Sequence, residues 1–326
     1  MKSVRDRVES KYSQDIKNID DIIKEATRSS RPAVNEAIAD LLEAGGKRIR
    51  PLLLISSWKS GEPGEKRENI LPLGAAVEIL HMATLVHDDI IDKAYKRRGV
   101  LTTGQKFGPE RALFVGDFLL NRAYNLFHRH LSPEKFLRLD KILQAICEGE
   151  IKEFDCRYDL DMSILDYLRQ IRRKTALLFG FSTYIGGYEG GMEKTNLKLV
   201  YRFGIQLGMA FQIQDDLLDF VGNPGEMGKS VGCDMTNGVY SLPVLLLLQD
   251  DEYGEQARDI IKRENIEEKS FQCLKEMMVD SGVIAQTEQW IQRYADRAQS
   301  AAKRLPENSS SAELLFFLEV LRARNS

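Results

Sequence analysis

Three carboxylates fall within five residues at Asp88-Asp89-Ile90-Ile91-Asp92, in a stretch from Leu85 that otherwise reads as buried helix. Like charges this close repel, so the segment needs something positive between them. Asp88 and Asp92 stand at i and i+4 on one helical face, and Asp89 flanks that face. The same order returns 127 residues later at Asp215-Asp216-Leu217-Leu218-Asp219. One copy could be a surface patch. Two copies, each ending a long apolar helix, point to chemistry, and helices facing each other would put six carboxylates around one cavity. Hard oxygen donors, with no Cys and no required His, suit magnesium, which takes one or two carboxylates and completes its shell with water and substrate phosphate.

Cations stand apart from the acids. Gly45-Gly46-Lys47-Arg48-Ile49-Arg50-Pro51 joins flexible glycines, a lysine and two arginines to a helix start. That cluster serves equally as a phosphate clamp or as a helix C-cap with solvated charges. Directly after the first triplet come Lys93, Lys96, Arg97, Arg98 and Gly99, which can neutralise the acids or take phosphate oxygens that metal leaves free. Several magnesium ions on opposed carboxylates would hold a diphosphate and make it a good leaving group. Apolar helix lies beneath the acids, so the organic part of the substrate is expected to be hydrocarbon, with a dry pocket that shields a carbocation from water.

Helices must position these groups. Val4, Val8, Tyr12, Ile16, Ile19 and Ile23 recur at helical spacing, as does Ala33 to Leu42 after Pro32. Leu52 to Trp58 resumes an apolar helix, and Ile70 to Asp92 predicts a long one whose only acid before the triplet is Glu78. Further helices are predicted at about 109–130, 133–158 and 163–185, the last holding the polar pair Lys174-Thr175. The loop Gly186-Gly187-Tyr188-Glu189-Gly190-Gly191 then leads to a helix from about Asn196 to Val221. From about Gly222 to Tyr240 five glycines surround Lys229, the pattern of a lid. Nothing splits the chain, so residues 1–326 read as a single all-α domain, a bundle of long helices around a deep central cavity.

The whole chain excludes several classes. A net charge of −3 gives no bias toward nucleic acid or an anionic membrane surface, so any phosphate binding must be local. Cys147, Cys156, Cys233 and Cys273 form no CxxC pair, which reads as free thiols in a reducing cytoplasm. The N-terminus does not resemble a signal peptide, and apolar runs such as Val244 to Leu248 fall short of the roughly 20 residues needed to span a bilayer. The expectation is a soluble, cytoplasmic protein.

Taken in order, Gly45 to Pro51, His87-Asp88-Asp89-Ile90-Ile91-Asp92, Arg97-Arg98-Gly99, Gly116-Asp117-Phe118-Leu119-Leu120, Lys174-Thr175-Ala176 and Phe211-Gln212-Ile213-Gln214-Asp215-Asp216-Leu217-Leu218-Asp219 resemble a trans-type polyprenyl diphosphate synthase over nearly the whole chain. The resemblance implies an isoprenoid synthase-like all-α fold and a homodimer. It also implies magnesium-dependent condensation of an allylic diphosphate with isopentenyl diphosphate. By matching motif, Asp88, Asp89, Asp92, Asp215 and Asp219 would hold magnesium, about three ions with diphosphate bound, and Asp216 and Lys174 would share in catalysis. Arg97, Lys174, Lys229, Thr175 and Gln212 would bind the allylic diphosphate, and Lys47, Arg50, His81 and Arg98 isopentenyl diphosphate. Two motifs depart from the family: Gly238-Val239-Tyr240-Ser241-Leu242-Pro243 lacks the usual lysine after glycine, and Arg97-Arg98-Gly99-Val100-Leu101-Thr102 lacks the usual Pro-Thr.

Stepping back along the helix from Asp88 by three or four gives Thr84, His81 or Leu80, and Val77, so these residues line the wall that a growing chain would pass. Short-chain members of the family tend to carry aromatics just below the acids, whereas this chain has Ala83 and Thr84. The expected product is therefore of heptaprenyl to decaprenyl type, a quinone side chain, released through a peripheral membrane contact. The alternatives are a farnesyl or geranylgeranyl diphosphate synthase and a subunit of a hetero-oligomeric synthase. A terpene cyclase would not need the Lys47 and Arg50 clamp or a full second triplet. A His-Asp metal phosphohydrolase would need a histidine before the second triplet.

Overall fold

Proline punctuates this chain at the openings of helices, where its missing N–H costs nothing. Pro32, Pro51, Pro72, Pro109, Pro133 and Pro243 all lie within the first three residues of a helix. The computed structural model describes residues 4–61, 69–221, 233–262, 268–306 and 310–323. In chain order the helices are α1 (Val4–Ala26), α2 (Pro32–Glu43), α3 (Ile49–Lys59), α4 (Ile70–Ile91), α5 (Thr103–Phe107), α6 (Pro109–His130), α7 (Pro133–Asp155), α8 (Ile164–Ile171), α9 (Leu177–Glu189) and α10 (Lys194–Val221). After them come α11 (Cys233–Thr236), α12 (Leu242–Leu248), α13 (Gly254–Ile261), α14 (Glu268–Asp280), α15 (Val283–Lys303) and α16 (Ser310–Arg322). The strands β1 (Lys96–Arg97) and β2 (Val100–Leu101) form a two-residue antiparallel hairpin, with Lys96 opposite Leu101.

The chain packs as two compact units, the first Met1–Lys141, Leu178–Gly204 and Ala298–Ser326, the second Ile142–Leu177 and Ile205–Arg297. In the first, α4 is the central helix and packs against α6, α3 and α1. Its Leu73, Ala75, Ala76, Val77, Ile79 and Ala83 are fully buried. An 18-residue window of α4 reaches a mean hydropathy of 1.5, enough by length and composition to cross a membrane, which corrects the expectation that no segment meets that test. Since 67% of the window is buried inside the protein and Glu78 within it pairs with Arg48, this is weak evidence for a span and fits a core helix. In the second unit α8 packs on α12, α12 on α13 and α14, and Phe220 stacks on Phe271 at 5.7 Å.

Two predicted elements came out differently. The helix expected over 163–185 is interrupted by a π-helical turn, Arg172–Ala176. The loop expected from Gly186 is instead the last turn of α9. Gly186 serves close packing rather than a turn, because a methyl group there would run into the Leu54 carbonyl of α3.

Candidate active site

The first acid triplet closes α4, with Asp92 as its C-cap. A helix C-terminus carries partial negative charge, so three carboxylates there aggravate the conflict already present in their spacing. The structure divides them. Asp88 and Asp92 remain half-buried at i and i+4, whereas Asp89 is 5% exposed. Arg97 Nε donates to both Asp89 oxygens, at 2.8 and 3.0 Å, and Arg97 Nη2 lies 2.8 Å from Oδ1. The middle acid therefore anchors the β1–β2 hairpin to the end of α4. At the hairpin tip Arg98 (φ 53) and Gly99 (φ 83) supply the two left-handed residues of a tight turn.

That turn brings Arg98 to the glycine-rich cluster. A side chain on Gly46 would lie 2.6 Å from Arg48 Nη1 and 3.0 Å from Arg98 Nη1, so it would push the ends of these two arginines aside. Arg48 itself is buried and left-handed (φ 46), with Nε 2.9 Å from Asp20 Oδ1 and Nη1 3.3 Å from Glu78 Oε1. It braces the clamp from within. Arg50 lies over the Phe179 ring at 4.8 Å. Burial, and then the charges of Arg50, Arg98, Arg97 and Arg48, hold the His81 imidazole well below its ordinary pKa, so it is neutral at pH 7. Arg50, His81 and Arg98 are thus gathered in one basic setting, and Lys47 is half-buried beside it in sequence.

Two supports come from motif residues to which the sequence assigned no role. Gly116 leaves room for the His87 ring, whose Nε2 lies 3.4 Å from Asp117 Oδ1. Thr102 caps α5, accepting from Gln105 N–H at 3.3 Å and donating to the Ala94 carbonyl at 2.8 Å. The second contact ties the hairpin's exit back to its entry.

The second unit repeats the division of acids. Asp215 and Asp219 are half-buried at i and i+4 near the C-terminus of α10, while Asp216 is 9% exposed. Tyr167 Oη donates to Asp216 Oδ2 at 2.6 Å and Gln212 Nε2 to Oδ1 at 2.8 Å. Thr175 Oγ1 donates to Gln212 Oε1 at 2.6 Å. Lys174 projects from the π-turn to Glu150 at 3.0 Å and Glu153 at 2.8 Å, two acids of α7 that sequence spacing did not reveal. Lys229 lies outside the described residues, as does the stretch 222–232 of the lid predicted from Gly222 to Tyr240, whose remainder holds the short helix α11. Beyond it, the backbone N–H of Tyr158 donates to the Gly238 carbonyl at 2.8 Å, next to the position where Val239 replaces the family's lysine.

Among the described residues no three His, Cys, Asp or Glu side chains converge on one point. Arg97 holds one middle acid, and Tyr167 with Gln212 the other. Asp88 with Asp92, and Asp215 with Asp219, each place two hard oxygen donors at i and i+4, a donor set that fits magnesium, an ion that draws the rest of its shell from water and phosphate. Of the wall residues, Val77, Leu80 and Ala83 are buried, and Thr84 donates to the His81 carbonyl at 2.8 Å.

Residues 31–278 match the family model described as polyprenyl synthetase. The chain belongs to that family. It is a prenyltransferase, and the family's activity is prenyl chain elongation. It is 38% identical over 239 residues to heptaprenyl diphosphate synthase component 2 of Geobacillus stearothermophilus, covering 73% of this chain and 74% of that one. To the geranylgeranyl diphosphate synthase of Saccharolobus solfataricus it is 31% identical, covering 93% of each. The crystal structure of a polyprenyl synthase from Caulobacter crescentus, complexed with calcium and isoprenyl diphosphate, superposes with a TM-score of 0.92 at 30% identity, covering 99% of this chain and 98% of that one.

Proposed function

We propose that the chain condenses an allylic diphosphate with isopentenyl diphosphate repeatedly and in a magnesium-dependent manner, giving an all-trans product of heptaprenyl to decaprenyl type. The carrying observation is the twofold division of acids, two half-buried carboxylates at i and i+4 beside one buried acid in each triplet, together with a separate set of arginines around a neutral His81. Asp88, Asp92, Asp215 and Asp219 are the residues that would hold magnesium. Bound there, it supplies positive charge that stabilises diphosphate as a leaving group. The calcium and isoprenyl diphosphate in the Caulobacter crescentus protein support the same pairing of hard cation and diphosphate.

The chain's own residues then divide the work. Lys47, Arg50 and Arg98 hold isopentenyl diphosphate, and His81, being neutral, offers it a hydrogen bond without adding charge. Lys174, Thr175, Gln212 and Arg97 serve the allylic diphosphate. The allylic C–O bond breaks with its electron pair leaving on diphosphate. The isopentenyl double bond attacks the cation to form the new C–C bond, and a proton passes to the departing diphosphate. Buried α4 side chains exclude water from the cation.

Product length rests on Ala83 and Thr84, which are small where a chain would pass. Leu113 and Phe114 on α6, and Ile151 and Phe154 on α7, are exposed, and a homodimer would cover such apolar groups. A second reading, a subunit needing a partner chain, is favoured by the "component 2" in the Geobacillus stearothermophilus relative's name. Incubating the purified chain alone with magnesium, isopentenyl diphosphate and farnesyl or geranylgeranyl diphosphate tests both. Long-chain product supports the first, and product only after a partner is added supports the second.

A further inference from the structure

The side chain that seals the second triplet is not one of its acids. Tyr167 is 2% exposed on α8, and its hydroxyl reaches Asp216 Oδ2 at 2.6 Å. The other Asp216 oxygen takes Gln212 Nε2 at 2.8 Å, and the far end of that amide accepts from Thr175 at 2.6 Å. Both oxygens of the buried carboxylate therefore have donors, and the chain of bonds runs without a break from Tyr167 to Thr175.

Tyr167 and Thr175 lie on either side of most of the π-turn Arg172–Ala176, from which Lys174 projects. A π-turn is a local widening of a helix and is frequent at functional sites. Here the helix before the widened segment, through Tyr167, and the segment itself, through Thr175 and Gln212, are bonded to one carboxylate of α10. Burial and the neighbouring Asp216 charge push the Tyr167 hydroxyl well above its ordinary pKa, so it remains a donor throughout the working range.

We propose that Tyr167 is a positioning residue for the allylic-diphosphate half of the reaction. By gripping Asp216 it fixes the direction in which Asp215 and Asp219 are presented on the same helix, and it keeps the Lys174 turn in register with them. Tyr167 touches neither substrate nor metal in this role. The inference rests on the proposed condensation reaction, and it adds a residue that lies in none of the motifs.

Tyr167→Phe tests it by removing one hydroxyl and keeping the ring. Loss of one hydrogen bond to a charged group is expected to raise the KM for the allylic diphosphate and the half-saturating magnesium concentration by about tenfold each. The KM for isopentenyl diphosphate should stay within about twofold and the thermal midpoint within a few degrees. Calorimetric binding of magnesium with inorganic pyrophosphate should weaken by about the same tenfold factor, a readout independent of turnover. Unchanged constants overturn the proposal, as does an equal rise in both KM values with a lowered midpoint, since that pattern marks packing alone. If Y167F does not fold, Tyr167→Gln, which keeps a side-chain donor, and Tyr167→Met, which has none, take its place. The glutamine variant should show the smaller rise in the allylic KM and the methionine variant the full split, and equal behaviour of the two overturns the proposal. Failure of the parent to condense the two diphosphates at all would instead count against the proposed function, and the pyrophosphate comparison would still decide the role of Tyr167.

Discussion

Asp89 and Asp216 look like their neighbours in sequence and differ from them in the fold. The i, i+4 spacing of Asp88 with Asp92, and of Asp215 with Asp219, was legible because it depends only on helix geometry. The fate of the middle acids was not, since Tyr167 lies 49 residues from Asp216 and no local pattern marks it. Replacing Asp89 with Asn should free Arg97 and loosen the hairpin that aims Arg98. Because Arg97 is one-fifth exposed, the expected loss is roughly 2 kcal/mol in chemical denaturation, less than a fully buried pair would show. Activity should fall further than stability, with a raised KM for isopentenyl diphosphate as the kinetic mark. His81 gives a pH prediction. Its folded pKa lies well below 6.5, so the unfolded chain binds the proton more readily. Stability from this group is complete above the unfolded value of about 6.5 and is lost as pH falls toward the folded value. Following the imidazole resonances during an NMR titration should show His81 neutral at pH 6, with its pKa rising when inorganic pyrophosphate occupies the clamp.

Helix boundaries followed the sequence wherever proline or apolar periodicity marked them, as at Pro109, Pro133 and Ile70. They departed from it where tertiary contact decides. Gly186 and Gly187 suggest a loop by residue type, yet α9 continues through them because α3 approaches too closely for a side chain. Gly186→Ala should therefore destabilise the chain by about 3 kcal/mol, read from the midpoint of urea unfolding, even though alanine is the better helix former. The π-turn at Lys174 is invisible to periodicity, since its one extra residue is absorbed within a continuous apolar pattern. On α4 the buried wall makes a different prediction. Ala83→Phe adds a ring on the face below Asp88, so the product should shorten by several isoprene units on reversed-phase chromatography while the magnesium requirement stays the same. An unchanged product would move the length-setting wall away from α4.

A net charge of −3 conceals how strongly this molecule separates its charges, with acids at the ends of α4 and α10 and arginines around His81. Composition carries no bias toward any class of partner, and only motif order reached the family. The relatives span heptaprenyl and geranylgeranyl diphosphate synthases, so family membership leaves product length and partner to be decided by this chain's own residues. One chain already carries both acid faces, the Arg50–His81–Arg98 clamp and the Lys174 turn. The purified 37.1 kDa chain should therefore form long-chain product without a second polypeptide, and should run in light scattering at about twice its mass as the exposed apolar groups of α6 and α7 pair. Chelation of magnesium should abolish turnover and its return restore it, because carboxylates without a cation repel a diphosphate. A monomer that condenses nothing until a second protein is added would mean that the exposed α6 and α7 groups await that protein instead of another copy of this chain.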